Sequence, residues 1–188
     1  MTTIATFWKD SNYTGSSISL TTSLLAIPDL SAYGLGDELS SLKCIDRNYF
    51  ITIYQNPNYS GNSWRFRAPM WAANLSDYGF NDKISSIRAD FTTESIQGNV
   101  VLYQHSNCTG KGYYVAGPTS VSNVTSLGIP NDWVSSIMLY PNTTARLYVD
   151  INYGGNVDPF VNFDSSLITQ WNVTDNDTTS SFTLSYTS

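Results

Sequence analysis

Along most of the chain, apolar and polar residues alternate in short runs. In "ITIYQ", Ile51 and Ile53 share one face; in "SWRFRA", Trp64 and Phe66 stand against Arg65 and Arg67; in "SSIMLY", Ile137 and Leu139 lie opposite Met138. A period of two marks a half-buried strand. Turns rich in glycine and asparagine separate these runs at the spacing of antiparallel sandwiches, and no long window carries a helical stripe. The segment "SLLAIPDLSAYG", residues 23–34, has room for a single helical turn. The pattern predicts an all-β fold.

A longer period lies over this one. "WKDSNYTG" begins at Trp8, "YQNPNYSG" at Tyr54, "YQHSNCTG" at Tyr103 and "YVDINYGG" at Tyr148. Each of these heads runs from an aromatic through four residues to a second aromatic, then one residue and a glycine: Gly15, Gly61, Gly110 and Gly155. The third head has Cys108 in the second aromatic place. At nearly fixed separation after each glycine comes a tail: "GDELSS" from Gly36, "NDKISS" from Asn81, "NDWVSS" from Asn131 and "NDTTSS" from Asn176. Four matched heads and tails imply four structural repeats. The polar stretch "FTTESIQGN", residues 91–99, interrupts the period where it is longest and reads as a linker. One motif of four strands cannot cover its own apolar face, so the motifs are expected to pair. The boundaries are then 1–92 (motifs 1–46 and 47–92), a linker at 93–99, and 100–188 (motifs 100–142 and 143–188).

Composition narrows the function classes. A net charge of −6 disfavours nucleic acid and anionic membrane surfaces and favours cations. Residues 1–95 hold seven basic and nine acidic side chains, and residues 96–188 hold two and six, so the second half has the more negative field. No apolar run is long enough to cross a bilayer, and nothing after Met1 reads as a secretion signal. The expected location is extracellular, or a cell or spore coat, if a leader has been removed, and cytoplasmic if Met1 is native. Cys44 and Cys108 occupy unrelated points of the repeat and read as packing residues. His105 is the single histidine, so neither a zinc cluster nor a histidine triad is supported. "DINYGGNVDPFV" begins like an EF-hand loop but ends on Val161 where a glutamate is needed. Glu38 and Glu94 with scattered aspartates are raw material for a glycosidase pair, but most of the aspartates are already assigned to turns. Asn-x-Ser/Thr sequons recur, three of them, at Asn12, Asn58 and Asn107, within the heads, and give weak support for export.

The paired heads and tails resemble the βγ-crystallin family over nearly the whole chain, and its microbial and invertebrate calcium-binding members more than the lens proteins. The resemblance implies two Greek-key β-sandwich domains of two motifs each. It also implies that each tail is a calcium motif, (Asn/Asp)-(Asn/Asp)-x-x-(Ser/Thr)-Ser. Calcium wants roughly six to eight oxygens, more than one such stretch can supply, so two tails would cooperate. Carried over by position, one site in the first domain would use the Asp10 and Lys83 carbonyls, the Ser85 hydroxyl and the Asp37 side chain. Its partner would use the Asn56 and Glu38 carbonyls, the Ser40 hydroxyl and the Asp82 side chain. In the second domain the sets are His105, Thr178, Ser180 and Asp132, then Asp150, Trp133, Ser135 and Asp177. The opening Asn81, Asn131 and Asn176 are extra or water-mediated ligands in this scheme. The second serines, Ser41, Ser86, Ser136 and Ser181, would support the hairpin.

Two calcium ions per domain are thus expected. The first domain should bind more weakly, because Gly36 lacks an oxygen-bearing side chain and the Lys83 ammonium lies near a site. With about one carboxylate per ion, the expected affinity is in the class of roughly 10⁻⁴ to 10⁻³ M. Asn, Asp and Ser are also ordinary turn formers, so the ligand roles rest on the resemblance. The implied function is a monomeric, non-enzymatic, calcium-stabilised structural or stress-related protein. The alternative is a secreted carbohydrate-binding or antimicrobial module in which aromatics such as Trp71 or Trp171 stack on sugar. Carbohydrate and self-association are the other partners considered.

Overall fold

A computed structural model describes residues 1–67, 70–94, 96–164, 168–174 and 176–187. The chain divides into two compact units, Met1–Glu94 and Ser95–Ser188, so the division falls inside the stretch read as a linker. Ser95 itself lies outside the described residues.

The first unit contains β1 (Thr3–Asp10), β2 (Thr14–Thr21), β3 (Ala26–Ile27), β4 (Ser41–Cys44), β5 (Tyr49–Asn56), β6 (Ser60–Arg67), β7 (Met70–Ala72) and β8 (Ser86–Phe91). They form two antiparallel sheets, β2-β1-β4-β7 and β3-β8-β5-β6. Each sheet holds three strands of one motif and the short third strand of the other. β7 pairs with β4 through Leu42 and Ala72, and β3 pairs with β8 through Ile27 and Ile87. This exchange is the Greek-key solution to the exposed face: neither motif completes a sheet without its partner. Phe7, Leu20, Leu42, Ile51, Ile53 and Ile87 are all fully buried.

The second unit repeats the plan with β9 (Val100–His105), β10 (Thr109–Val115), β11 (Thr119–Val121), β12 (Ser136–Leu139), β13 (Thr143–Tyr148), β14 (Val157–Asn162), β15 (Thr169–Asn172) and β16 (Ser181–Tyr186). Its sheets are β10-β9-β12-β15 and β11-β16-β13-β14. Its core joins Leu102, Ile137 and Leu139 from the first sheet to Leu147, Phe182 and Leu184 from the second. The single helical turn expected in residues 23–34 is a 3-10 turn, Leu30–Tyr33, and it recurs at Leu75–Tyr78 and Val124–Leu127. Asp29, Asn74 and Asn123 each accept the N–H two residues on, which starts the turn. No helix among the described residues is long and apolar enough to cross a membrane.

Strict alternation misleads at two places. Arg67, placed on the polar face by its pattern, is only 3% exposed. Its guanidinium donates to the carbonyls of Arg47 and Glu94 and lies 3.6 Å from the Glu94 carboxylate. Met138 is buried together with Ile137 and Leu139, so β12 is apolar on both faces.

Candidate metal centre

Each head folds over as a hairpin because two consecutive residues adopt left-handed backbone angles. In the first head these are Asn12 (φ 58°) and Tyr13 (φ 63°), and the other three heads repeat them. Such angles are disfavoured for a tyrosine, so something must hold them. The second tail serine does so in every motif. Ser41 Oγ accepts from Tyr13 N–H at 3.0 Å and donates to the Asp10 carbonyl at 2.6 Å. Ser86 does the same for Tyr59 and Asn56, Ser136 for Cys108 and His105, and Ser181 for Tyr153 and Asp150. All four serines are fully buried. The head glycine follows directly: a Cβ on Gly15, at φ +78°, would stand 2.3 Å from Asp10 Oδ2.

The tails meet in pairs within each unit. Asp37 N–H donates to the Ile84 carbonyl at 3.1 Å and Asp82 N–H to the Leu39 carbonyl at 3.1 Å, so two tails lie mouth to mouth. In the second unit Asp177 N–H donates to the Val134 carbonyl at 3.3 Å. The second tail residues, Asp37, Asp82, Asp132 and Asp177, all have φ between 49° and 56°. Aspartate tolerates this region better than most residues, and there its carboxylate reaches across to the facing tail. Ser85 Oγ is 2.7 Å from Asp37 Oδ1, and Ser135 Oγ is 2.7 Å from Asp177 Oδ1. Ser40 Oγ is 3.1 Å from Asp82 Oδ1, and Ser180 Oγ is 3.4 Å from Asp132 Oδ1. These four carboxylate and hydroxyl pairs are the ones the positional carry-over names.

Two of the four gather a third oxygen. Ser85 Oγ also lies 2.8 Å from the Gln55 carbonyl, and Ser135 Oγ lies 2.5 Å from the Gln104 carbonyl. A hydroxyl has one proton, and a carboxylate and a carbonyl have none to offer. Each cluster therefore holds three oxygens with a single hydrogen among them, an arrangement a hard cation relieves. The donor set is all oxygen, as calcium requires. Among the described residues no three His, Cys, Asp or Glu side chains converge, so any ion here must rely on hydroxyl and carbonyl oxygens.

Other candidate ligands stand differently. The head carbonyl beside Ser85 is that of Gln55 and the one beside Ser135 that of Gln104, each from the serine's own motif, where the carry-over named Asp10 and Asp150 from the partner motif. The carbonyls of Asp10, Asn56, His105 and Asp150 accept from the second serines instead. Any residue supplies a carbonyl, so no side-chain signal could have singled out Gln55 and Gln104. Asn81 and Asn176 turn their amide nitrogens onto the adjacent Asp82 and Asp177 carboxylates, at 2.8 and 3.1 Å, and so orient them. Asn131 is exposed on the second-unit tail. The third-position residues Glu38, Lys83, Trp133 and Thr178 directly follow the left-handed aspartates. The Lys83 ammonium, expected near a site, points back to the Gly79 carbonyl at 3.4 Å. Glu38 pairs with Lys9 at 2.7 Å, and Glu94 with Arg67, so the two glutamates are held apart in separate ion pairs. Gly36 has a steric reason: a Cβ there would stand 3.0 Å from the Ser31 Cβ.

Two Greek-key sandwich units with paired, oxygen-lined tails define a class of protein. The Beta/Gamma crystallin family pattern matches residues 4–90 and 51–139, and the chain belongs to that family. Among curated proteins it is similar to Spherulin-3A of Physarum polycephalum, 38% identical over 60 residues that make up 32% of this chain and 56% of that protein. The chain thus spans about half the length of that relative. Among solved structures it is similar to Protein S complexed with calcium, at 22% identity and TM-score 0.56, covering 97% of this chain and 99% of that one. At that identity the likeness is one of fold. A βγ-crystallin domain from Flavobacterium johnsoniae is 33% identical, covers 49% of this chain and 99% of its own, and has a TM-score of 0.41.

Proposed function

We propose that the chain is a calcium-binding, non-enzymatic βγ-crystallin whose folded state is stabilised by ions held between paired tails, in a structural or stress-related role. The observation that carries this reading is the proton deficit at Ser85 and Ser135, where one hydroxyl hydrogen faces two acceptors. The first-unit ion would be held by the Asp37 carboxylate, the Ser85 hydroxyl and the Gln55 carbonyl. The second-unit ion would be held by the Asp177 carboxylate, the Ser135 hydroxyl and the Gln104 carbonyl. Two wider sites, at Asp82 with Ser40 and Asp132 with Ser180, complete two per unit and bind more weakly. Bound calcium supplies charge neutralisation between loops that otherwise present oxygen to oxygen. The similarity to Protein S, whose structure was determined with calcium, supports the same reading.

Between the units, the second is expected to bind more tightly. Lys83 no longer argues for this, since its ammonium faces Gly79. The remaining grounds are Gly36, which cannot orient Asp37 as Asn176 orients Asp177, and the more negative second half. The test is calorimetric calcium titration of the whole chain, with thermal unfolding in calcium and in chelator. At free calcium a hundred times the dissociation constant, each site adds about 2.7 kcal/mol. Coincident unfolding transitions would sink the proposal.

A further inference from the structure

The third head departs from the others in two independent ways. In heads one, two and four the second aromatic packs edge-on against the first: Tyr13 on Trp8, Tyr59 on Tyr54 and Tyr153 on Tyr148, with centroids 5.5 to 5.8 Å apart. In the third, Cys108 takes the tyrosine's place. The second departure is in the contact between the head and the strand lent by the partner motif. Asn12, Asn58 and Asn152 each donate their N–H at 2.8 Å to a main-chain carbonyl, those of Ala73, Pro28 and Ser122. The Asn107 N–H donates instead to the Asn172 side chain, Oδ1 at 2.7 Å, and Asn172 Nδ2 returns a bond to Asn107 Oδ1 at 3.3 Å. A side chain of β15 here makes the bond that main chain makes in the other heads. Between β15 and the third head opens a cleft of about 400 Å³ lined by Asn107, Cys108, Ile168, Gln170, Trp171 and Asn172.

We propose that this cleft binds a neutral hydroxylated ring, a saccharide unit, independently of calcium. Its volume lies in the range of small-ligand sites. No charged side chain among the described residues lines it, which disfavours phosphates and carboxylates as ligands. Three exposed amides do line it, those of Asn107, Gln170 and Asn172. An amide presents donors and an acceptor side by side, matching a hydroxyl, which is both. Ile168 and Cys108 supply a small apolar wall for the C–H face of a ring. Burial pushes the Cys108 thiol up to about 11, so it is an uncharged spacer at neutral pH. Trp171 packs on Phe160, with centroids 6.1 Å apart, and braces β15 from the core side. The site therefore differs from an exposed tryptophan platform: amides recognise the ring, and the missing tyrosine makes the room.

The experiment uses the full chain made without glycosylation, because Asn107 and Asn172 both begin Asn-x-Thr sequons. Glucose, galactose, mannose and N-acetylglucosamine are titrated while the side-chain amides are followed by heteronuclear NMR. At least one sugar should give saturable shifts at Asn107, Gln170 and Asn172, in chelator as well as in calcium. Cys108→Tyr, which restores the ring, should abolish them. Gln170→Ala, an exposed change that spares the fold, should weaken binding about tenfold, the effect of one lost hydrogen bond. Absence of saturable shifts with every sugar would overturn the proposal, as would unchanged binding in Gln170→Ala. Preference for a sugar phosphate over the neutral sugar would overturn the ligand class.

Discussion

In two of the four tails, neighbouring serines have different hydrogen-bond accounts. Ser136 receives one N–H and gives its proton to one carbonyl, and it is wholly buried. Ser135, one residue earlier, has the same single proton for the Asp177 carboxylate and the Gln104 carbonyl. The first arrangement is complete and needs nothing more. The second shares one proton between two acceptors, the feature on which the proposed cation site rests. One sequence block, Ser-Ser, thus carries a structural pin and the hydroxyl of the proposed ion site on opposite faces of the strand entrance, because side chains alternate there.

The largest effect should come from breaking the pin. Ser136→Ala or Ser86→Ala strips a partner from one N–H and one carbonyl, and each loss costs about 1–3 kcal/mol. Urea unfolding in chelator should show this loss with calcium absent. Next comes the binding serine or its carboxylate. Ser135→Ala and Asp177→Asn should change stability little in chelator yet forfeit most of the roughly 2.7 kcal/mol that saturating calcium adds at one site. If the two serines respond alike to calcium, the distinction between them collapses. A smaller contrast lies within a unit. Asp132→Asn, at the wider 3.4 Å pair, should cost less calcium stabilisation than Asp177→Asn when both are titrated calorimetrically. The smallest effect is Lys83→Ala, expected within about 0.5 kcal/mol of the parent in stability and without effect on calcium binding, because the ammonium faces Gly79. A marked gain in affinity would return Lys83 to the site. Both cysteines should resist thiol reagents in the native protein, since burial raises both thiols, and should label on unfolding.

Much of this was legible in the chain because it repeats. One head or tail is a short string of turn residues; four in step require four hairpins and four strand entrances. The all-β class followed from the period-two runs, and the pairing of Asp37 with Ser85 and of Asp177 with Ser135 from the resemblance. Arg67 was read on the polar face, since alternation says which side a residue takes and not whether carbonyls wait there. Lys83 was placed near a site because its backbone is, but a long side chain is free to turn to the Gly79 carbonyl.

By itself, then, the sequence determined the repeat, the strands, the hairpins and the oxygen-bearing residue types, all of which are local consequences of spacing and side-chain chemistry. Only the tertiary structure decided which carbonyl meets each tail hydroxyl, which serine proton faces two acceptors, and that the third head bonds the Asn172 side chain. The carbonyl comes from a strand of the serine's own motif, whereas the facing carboxylate and Asn172 come from the partner motif, so the groups that meet are about 30 to 65 residues apart in sequence.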